Sequence, residues 1–134
     1  MSLANVELAR QVIDAFNGRD VDALLRCVNS DIEWFPAMPV TSAGSALRGH
    51  RGIESYLREV SDTWEEYRVV APDFRDLGDE RVLVLSRIEG RGAGSGGLVD
   101  AEMGQIIDFR DGRISRVRTY LDHGDALRAA GLSE

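Results

Sequence analysis

The sequence predicts one α+β domain in which helices pack on one face of a strongly bent, mostly antiparallel sheet. Its first half carries apolar residues at helical spacing, whereas its second half alternates apolar and polar residues between glycine-containing turns. The later strands are joined by hairpins, so they cannot form a parallel sheet covered by crossover helices. The chain of 134 residues has the size of one domain, which we expect to span residues 1–134.

Three helices and one strand are predicted in the first half. Asn5 is the predicted N-cap of the first helix, which ends at Asn17 and Gly18. Asp20 is the predicted cap of a short second helix that includes Val28. A turn is then predicted over residues 29–31, a strand over 32–35, a loop over 36–49 and a third helix from about residue 50.

Four strands and a terminal helix are predicted in the second half. Gly78-Asp79 and Asp111-Gly112 predict tight turns, and five glycines between residues 90 and 97 predict a hairpin loop. Asp122 and Asp125 indicate the start of the terminal helix. The strands are predicted over residues 67–77, 81–90, 98–110 and 113–121, and the helix over residues 124–130.

The charge of the chain argues against several classes of partner. Its net charge of −7 is opposite to the cationic surface that binds nucleic acid or an anionic membrane. No apolar run approaches the roughly 20 residues of a membrane-spanning helix, and no signal peptide is expected. Cys27 is the only cysteine, which fits the reducing cytoplasm. All sixteen basic residues are arginine, which indicates a GC-rich bacterial genome.

Five segments of the sequence resemble SnoaL-like members of the nuclear transport factor 2-like superfamily. They are DIEW at residues 31–34, LRGHRGI at 47–53, DFRDGRI at 108–114, RTYLD at 118–122 and ALRAAGL at 126–132. The resemblance implies a cone-like sheet with the N-terminal helices on its concave side, a small-molecule pocket, and a homodimer formed through the open sheet face. This fold hosts isomerases, hydrolases, cyclases, dehydratases and binding domains, so it does not imply one reaction.

Two groups of relatives give little support for a shared reaction. Ketosteroid isomerases, which are similar in layout, keep reactive groups at positions that match Val12, Phe35 and Gln105. Valine and phenylalanine cannot exchange a proton, so isomerisation by that route is not expected. Polyketide cyclases of the SnoaL type use a pocket aspartate. Asp122 is the nearest match, although its place before the last helix also suits an N-cap.

Limonene epoxide hydrolases give a closer partial match. The segment Arg87-Ile88-Glu89 is similar to their Arg-x-Asp, in which the arginine orients two carboxylates. Their second carboxylate is matched by Thr119, and their water-holding residues are matched by Phe35 and Ala37. Epoxide opening needs a base for water and an acid for the oxygen, and this sequence supplies at most one of the two.

Arg87 and Glu89 are the candidate catalytic residues. They share one face of a predicted strand with Leu83 and Leu85, so the carboxylate and its orienting arginine could lie in the pocket. The alternative is a surface ion pair beside the glycine-rich loop.

Gln105 and Glu33 are candidate polar contacts of a ligand. Gln105 shares a strand face with Met103, Ile107 and Phe109, so it is either a hydrogen-bond partner of a ligand or a satisfied core amide. Glu33 could face the pocket as a base, or it could be a solvated strand residue.

Large apolar side chains are predicted either to line an apolar cavity or to belong to the core. His50 and His123, near helix starts, could act as bases or be solvated. No metal site is expected from two distant histidines and one cysteine. No cofactor is expected either, because the glycine-rich loop joins two strands and not a strand and a helix. The candidate lining residues are Trp34, Phe35, Met38, Tyr56, Trp64 and Met103.

These patterns lead to two hypotheses. In the first, the chain binds a small apolar or amphipathic molecule, with Gln105, Glu33 and Thr119 among its contacts. Any chemistry would be cofactor-free acid/base work of an isomerase, cyclase or hydrolase type, centred on Glu89 with Arg87. In the second, the chain is a non-catalytic ligand-binding or dimerisation module. Side chains of Glu89 and Arg87 that point into solvent would contradict the proposed site.

Overall fold

The computed structural model of the protein describes residues 3–36, 46–94 and 96–132. The predicted α+β class is confirmed, because these residues form four helices and six strands. The helices are α1 (Leu3–Asn17), α2 (Val21–Cys27), α3 (Gly49–Thr63) and α4 (His123–Ala129). The strands are β1 (Val28–Phe35), β2 (Leu47–Arg48), β3 (Trp64–Gly78), β4 (Arg81–Gly92), β5 (Leu98–Arg110) and β6 (Arg113–Tyr120).

The described strands form one sheet in the order β2-β1-β6-β5-β4-β3. Strands β3 to β6 pair antiparallel in sequence order, as the hairpin turns predict. Strand β1 pairs parallel with β6, and β2 pairs antiparallel with β1. The sheet is therefore mostly antiparallel, and β3 forms one of its edges.

The two faces of the sheet carry separate hydrophobic clusters. The face toward α1, α2 and α3, here named the inner face, includes Val82 and Val84. The opposite or outer face carries Leu83 and Leu85, which pack against Ala126 of α4. Neighbouring residues of a strand point to opposite faces, so β4 is apolar on both sides. The N-terminal helices share one side of the sheet as predicted, whereas α4 lies on the other side.

The end of α1 covers the free edge of β3. The side chain of Asn17 hydrogen-bonds to both the backbone N–H and the backbone C=O of Val69. Arg19, which follows the helix, donates from Nη2 to the backbone O of Tyr67 at 2.7 Å. An uncovered edge strand leaves such backbone groups unpaired. These contacts fix the position of β3 relative to α1.

Two predicted boundaries near the N-terminus are wrong. Asn5 does not cap α1, because the helix begins before it; Asn5 is buried, and its amide donates to Oε1 of Glu80 at 2.9 Å. Val28 and residues 29–31 belong to β1 and not to α2 and a turn. Val28 pairs with Ile114 of β6, so pairing within the sheet overrides the helical spacing that included Val28.

The two predicted aspartate caps are confirmed. Asp20 accepts a hydrogen bond from a backbone N–H of α2 at 3.1 Å, and Asp122 accepts one from a backbone N–H of α4 at 3.0 Å. Most of the loop predicted over residues 36–49, including Ala37 and Met38, lies outside the described residues; its last part forms β2 and begins α3. Among the described helices, none is long and apolar enough to cross a membrane.

Candidate functional site

A small cavity lies on the inner face of the sheet, where α1 and α3 approach strands β1, β3, β5 and β6. Its volume is about 30 Å³, which is room for about two water molecules. A ring compound can therefore enter only if lining side chains move. The apolar part of the described lining consists of Val12, Ile13, Phe16, Trp34, Val69 and Met103.

Aromatic rings occupy much of the space around this cavity. Tyr56 of α3 packs against Phe16 and Trp34, with ring centroids 6.1 and 6.2 Å away. The ring of Tyr67 on β3 meets Phe16 edge-on at 5.9 Å. Aromatic pairs at such separations stabilise each other beyond simple burial. The wall of the cavity is therefore suited to contact with another ring.

Two phenol groups form one polar part of the lining. Tyr56 and Tyr67 are close enough for each phenol to affect the pKa of the other. Burial raises the pKa of both phenols, and the nearby guanidinium of Arg19 opposes this with a smaller effect. A phenol with a raised pKa keeps its proton at neutral pH. Both hydroxyls are therefore hydrogen-bond donors and not bases.

An amide and a hydroxyl form the other polar part. Gln105 of β5 and Thr119 of β6 are direct partners in the sheet and both line the cavity. Gln105 is 7% exposed, and its Nε2 lies 3.4 Å from Oγ1 of Thr119, which is long for a hydrogen bond. Gln105 is thus a core amide that is weakly bonded and also reaches the cavity. Met103, two residues earlier on the same strand face, lines the cavity as well.

The structure contradicts the predicted pocket position of Arg87 and Glu89. Both residues lie on the outer face of β4, and Glu89 is exposed. Arg87 pairs with Asp100 of β5, with 2.7 Å between Nη2 and Oδ1, and this contact raises the pKa of Arg87. The prediction failed because Leu83 and Leu85, which share that face, are covered by α4 and not by the cavity. The surface ion pair is the correct alternative for Arg87, although its partner is Asp100.

Glu33 and Phe35 also lie away from the cavity. Trp34 between them is 6% exposed and lines the cavity, so its two neighbours point to the outer face. Glu33 forms ion pairs with Arg48 and, at 3.3 Å, with Arg116. The hydrogen bond from Arg48 is the main reason that the pKa of Glu33 is lowered. Glu33 is therefore an ion-paired carboxylate of the outer face and not a pocket base.

Both histidines make contacts elsewhere. Nε2 of His50 lies 3.2 Å from the backbone O of Val28, and Nε2 of His123 lies 2.7 Å from the backbone O of Ser86. Within residues 3–36, 46–94 and 96–132, no group of three or more histidine, cysteine, aspartate or glutamate side chains is arranged to hold a metal ion. Trp64 packs against Tyr67, with ring centroids 5.3 Å apart, outside the cavity lining.

Tyr67 and Val69 are cavity residues that the sequence pattern did not single out. Both are buried, with the exposed Arg68 between them, and this alternation is visible in the sequence. The pattern does not show, however, which strand face meets a cavity. Among the described lining residues there are phenol, amide and hydroxyl groups but no carboxylate, imidazole or guanidinium group. The lining can bind a ligand and donate hydrogen bonds, whereas proton abstraction needs a base.

Known proteins are similar to this chain over most of its length. Residues 9–117 match the family model of the SnoaL-like domain. A nuclear transport factor 2-like protein of unknown function from Burkholderia pseudomallei is 25% identical; the match covers 96% of this chain and 97% of that chain, with a TM-score of 0.78. No curated protein matches the chain.

Two further solved structures share the fold at lower identity. A proposed polyketide cyclase from Xanthomonas campestris is 21% identical over 95% of this chain and 96% of that chain, with a TM-score of 0.76. A protein with a ketosteroid isomerase-like fold from Catenulispora acidiphila, in complex with trimethylamine, is 17% identical over 94% and 93% of the two chains, with a TM-score of 0.74. Because the family model matches most of its residues, the chain belongs to the SnoaL-like domain family and has the nuclear transport factor 2-like fold.

Proposed function

We propose that this chain binds a small, mostly apolar ring compound in the inner-face cavity. The observation that carries the proposal is the described lining, in which the rings of Phe16, Trp34, Tyr56 and Tyr67 meet uncharged polar groups. Small-molecule sites are typically apolar with a few placed polar groups. The complex of the Catenulispora acidiphila protein with trimethylamine supports small-molecule binding by a protein of this fold.

Binding without catalysis is the favoured form of this proposal. Acid/base chemistry at the cavity would need a group that takes up a proton near neutral pH. The described lining offers only phenols with raised pKa values, an amide and a hydroxyl. Glu89 and Arg87, the sequence-predicted catalytic pair, lie on the opposite face of the sheet.

The proposal is tested by titrating the protein with α-methylstyrene and following methyl resonances by NMR. We expect the methyl resonances of Val12, Ile13 and Met103 to shift as the ligand is added and to reach a plateau when the cavity is saturated. The exposed methyl groups of Leu98, which is 77% exposed, should not shift. Shifts that are absent, or that occur equally at Leu98, would show that the cavity does not bind such a ring.

A pair of variants separates cavity binding from general hydrophobic contact. Val12→Phe adds a ring to the cavity and should abolish the binding of α-methylstyrene. Overpacking should also lower the free energy of unfolding by about 1–3 kcal/mol. Val70→Phe adds the same ring to β3 at a residue outside the cavity lining, and it should leave the affinity for α-methylstyrene unchanged. Equal affinities in the two variants would contradict the cavity as the binding site.

We also propose that two copies pair through the outer face of β1 and β6. This surface is a groove of about 670 Å³ that carries charges of both signs, including the ion pair of Asp31 with Arg110 at 2.6 Å. Oδ1 of Asp108, which lines the groove, is buried and lies 3.9 Å from Nη2 of Arg118. The mixed charges of the groove suit contact with the same surface of a second copy. The face is charged and not the apolar surface that would favour pairing. Sedimentation at micromolar concentration should show a dimer, and a monomer would rule the pairing out.

A further inference from the structure

Asn17 is followed by Gly18, and this dipeptide has a reactivity of its own. The backbone nitrogen of the residue after an asparagine can attack the side-chain carbon Cγ and close a five-membered ring. Glycine allows this approach most readily, because it has no Cβ and few restrictions on its backbone. The two other asparagines of the chain are followed by valine and serine, whose side chains hinder the same attack. By its sequence, Asn17 is therefore the asparagine most prone to ring closure.

In the folded protein, hydrogen bonds hold both partners of this reaction. Nδ2 of Asn17 donates to the backbone O of Val69 and Oδ1 accepts from its N–H, each at 2.9 Å. The attacking nitrogen, N of Gly18, donates to the backbone O of Asp14 at 2.9 Å. This nitrogen must lose its proton before it attacks, and a proton in a backbone hydrogen bond is released only after local opening. The folded end of α1 therefore protects Asn17.

The end of α1 is a place where local opening needs little free energy. Gly18 is exposed and Asn17 is half-buried, and helix ends fray more readily than helix centres. Arg19, which holds this end through bonds to the backbone oxygens of Phe16 and Tyr67, has a φ of 55°. That left-handed conformation is costly for a residue with a Cβ. A few polar contacts and an unfavourable backbone conformation thus favour opening here before the whole domain unfolds.

The product of the reaction does not restore the contact with Val69. Ring closure and hydrolysis convert the amide to a carboxylate, either in place or, as isoaspartate, with one extra CH₂ in the main chain. A carboxylate still accepts from the N–H of Val69, but it has no proton to donate to the C=O. Because Val69 lines the cavity, deamidation would release part of the cavity wall from α1.

We propose that Asn17 is a site of spontaneous deamidation, which proceeds when the end of α1 separates from β3 and which permanently loosens that contact. The proposal does not depend on ligand binding, and its only co-reactants are water and hydroxide. Hydroxide takes the proton of N of Gly18, and this nitrogen forms a bond to Cγ of Asn17. The Cγ–Nδ2 bond breaks, and Nδ2 leaves as ammonia after it takes a proton from water. One water molecule then opens the succinimide to aspartate or isoaspartate, without oxidation or reduction.

The test is to incubate the intact protein in mildly alkaline buffer and to follow one tryptic peptide by mass spectrometry. Cleavage after Arg10 and Arg19 releases residues 11–19, which contain Asn17 as their only asparagine. We expect the mass of this peptide to rise by the difference between an amide and an acid. In urea the rise should be at least about tenfold faster, because no opening step is needed. Equal rates in the two conditions, or a rise in urea alone, would contradict protection with local opening, and no rise in either would exclude the site.

Two variants separate the effect of the dipeptide from that of the fold. Gly18→Ala adds a Cβ 3.3 Å from the backbone O of Asp14, at a residue without a positive φ, so a shift of a few tenths of an ångström accommodates it. It should slow deamidation by about tenfold in both the folded and the unfolded protein. Arg19→Ala keeps the dipeptide but removes the two contacts of the guanidinium. It should speed deamidation of the folded protein by about 5–10-fold, the usual effect of one hydrogen bond, and leave the unfolded rate unchanged.

Arg75→Ala is the matched control, because it removes an exposed ion pair with Asp73 on the same strand, β3. Its deamidation rate should equal that of the wild type. An Arg19→Ala rate equal to that of the control would show that the end of α1 does not limit the reaction. If thermal unfolding shows that Arg19→Ala is not folded during the incubation, Arg19→Lys replaces it, and the same faster rate is expected because lysine lacks the planar fork that reaches both oxygens.

Discussion

The side-chain amide of Asn17 hydrogen-bonds to both backbone groups of Val69: Nδ2 donates to the C=O and Oδ1 accepts from the N–H, each at 2.9 Å. Val69 lies on the edge strand β3, and the bonds to Asn17 use backbone groups of Val69 on the free side of that strand. A side-chain amide carries both a donor and an acceptor, so it can satisfy a backbone C=O and a backbone N–H at once. Because Val69 also lines the cavity, the contact joins the end of α1 to the position of the cavity wall.

Asn17→Ala should destabilise the protein by about 1–3 kcal/mol, because two buried backbone groups lose their partners. The amide proton of Val69 should also exchange faster with solvent, which hydrogen exchange measures directly. Asn17→Asp keeps the shape but cannot donate to the C=O, so it should be no more stable than the alanine variant. As a control, Asn29→Ala removes an exposed contact of 3.3 Å with Arg110, and its effect should stay within about 0.5 kcal/mol. Unchanged exchange at Val69 in Asn17→Ala would contradict the role assigned to the amide.

The hairpin signals and the alternating strands of the second half were sufficient to predict the β3–β6 meander. On β5, the sequence placed Gln105 on one face with Met103, Ile107 and Phe109, and this is the inner face. On β4 both faces are apolar, since Leu83 and Leu85 are covered by α4. Alternation alone cannot decide which face meets the cavity, so the position of Arg87 and Glu89 was predicted wrongly. The parallel pairing of β1 with β6 joins distant segments and leaves no local signal.

Gly104→Ala should loosen α4 from the sheet. A Cβ built at Gly104 would lie 2.4 Å from Cβ of Ala126, which is closer than real Cβ atoms approach. We expect a loss of about 1–3 kcal/mol in the free energy of unfolding from this overpacking, measured by urea denaturation. The double variant Gly104→Ala/Ala126→Gly should lose less than the sum of its single variants, because it removes the clash. If the double variant instead lost the full sum of the two single losses in the free energy of unfolding, the two residues would not constrain each other.

Glu33→Gln should make the protein less sensitive to acid. The hydrogen bond from Arg48, with a further contribution from Arg116, lowers the pKa of Glu33 below its ordinary value of 4.5. The stabilisation by these ion pairs is therefore complete above that value and is lost as pH falls through the lowered pKa. We expect the wild type to lose more stability than Glu33→Gln between about pH 6 and pH 3. Glu54→Gln, at an exposed glutamate of α3, is the control and should follow the wild type.

Met103→Ala should lower stability and improve the binding of ring compounds. Met103 is 4% exposed and lines the cavity, and a volume of about 30 Å³ is too small for a ring unless such a side chain moves. Its flexible thioether makes Met103 the lining residue that can move most readily. Truncation should cost about 2–5 kcal/mol and raise the affinity for α-methylstyrene by about tenfold, since the space is then already open.

Leu83→Ala gives the matched control for this effect. Leu83 is 0% exposed but belongs to the outer-face cluster, so its truncation should cost a similar free energy of unfolding without a gain in affinity. Calorimetric titration of both variants, at a temperature where each is fully folded, makes the comparison direct. Equal affinity gains in the two variants would mean that binding depends on reduced stability in general. A gain confined to Met103→Ala would identify this side chain as the one that a ring compound displaces.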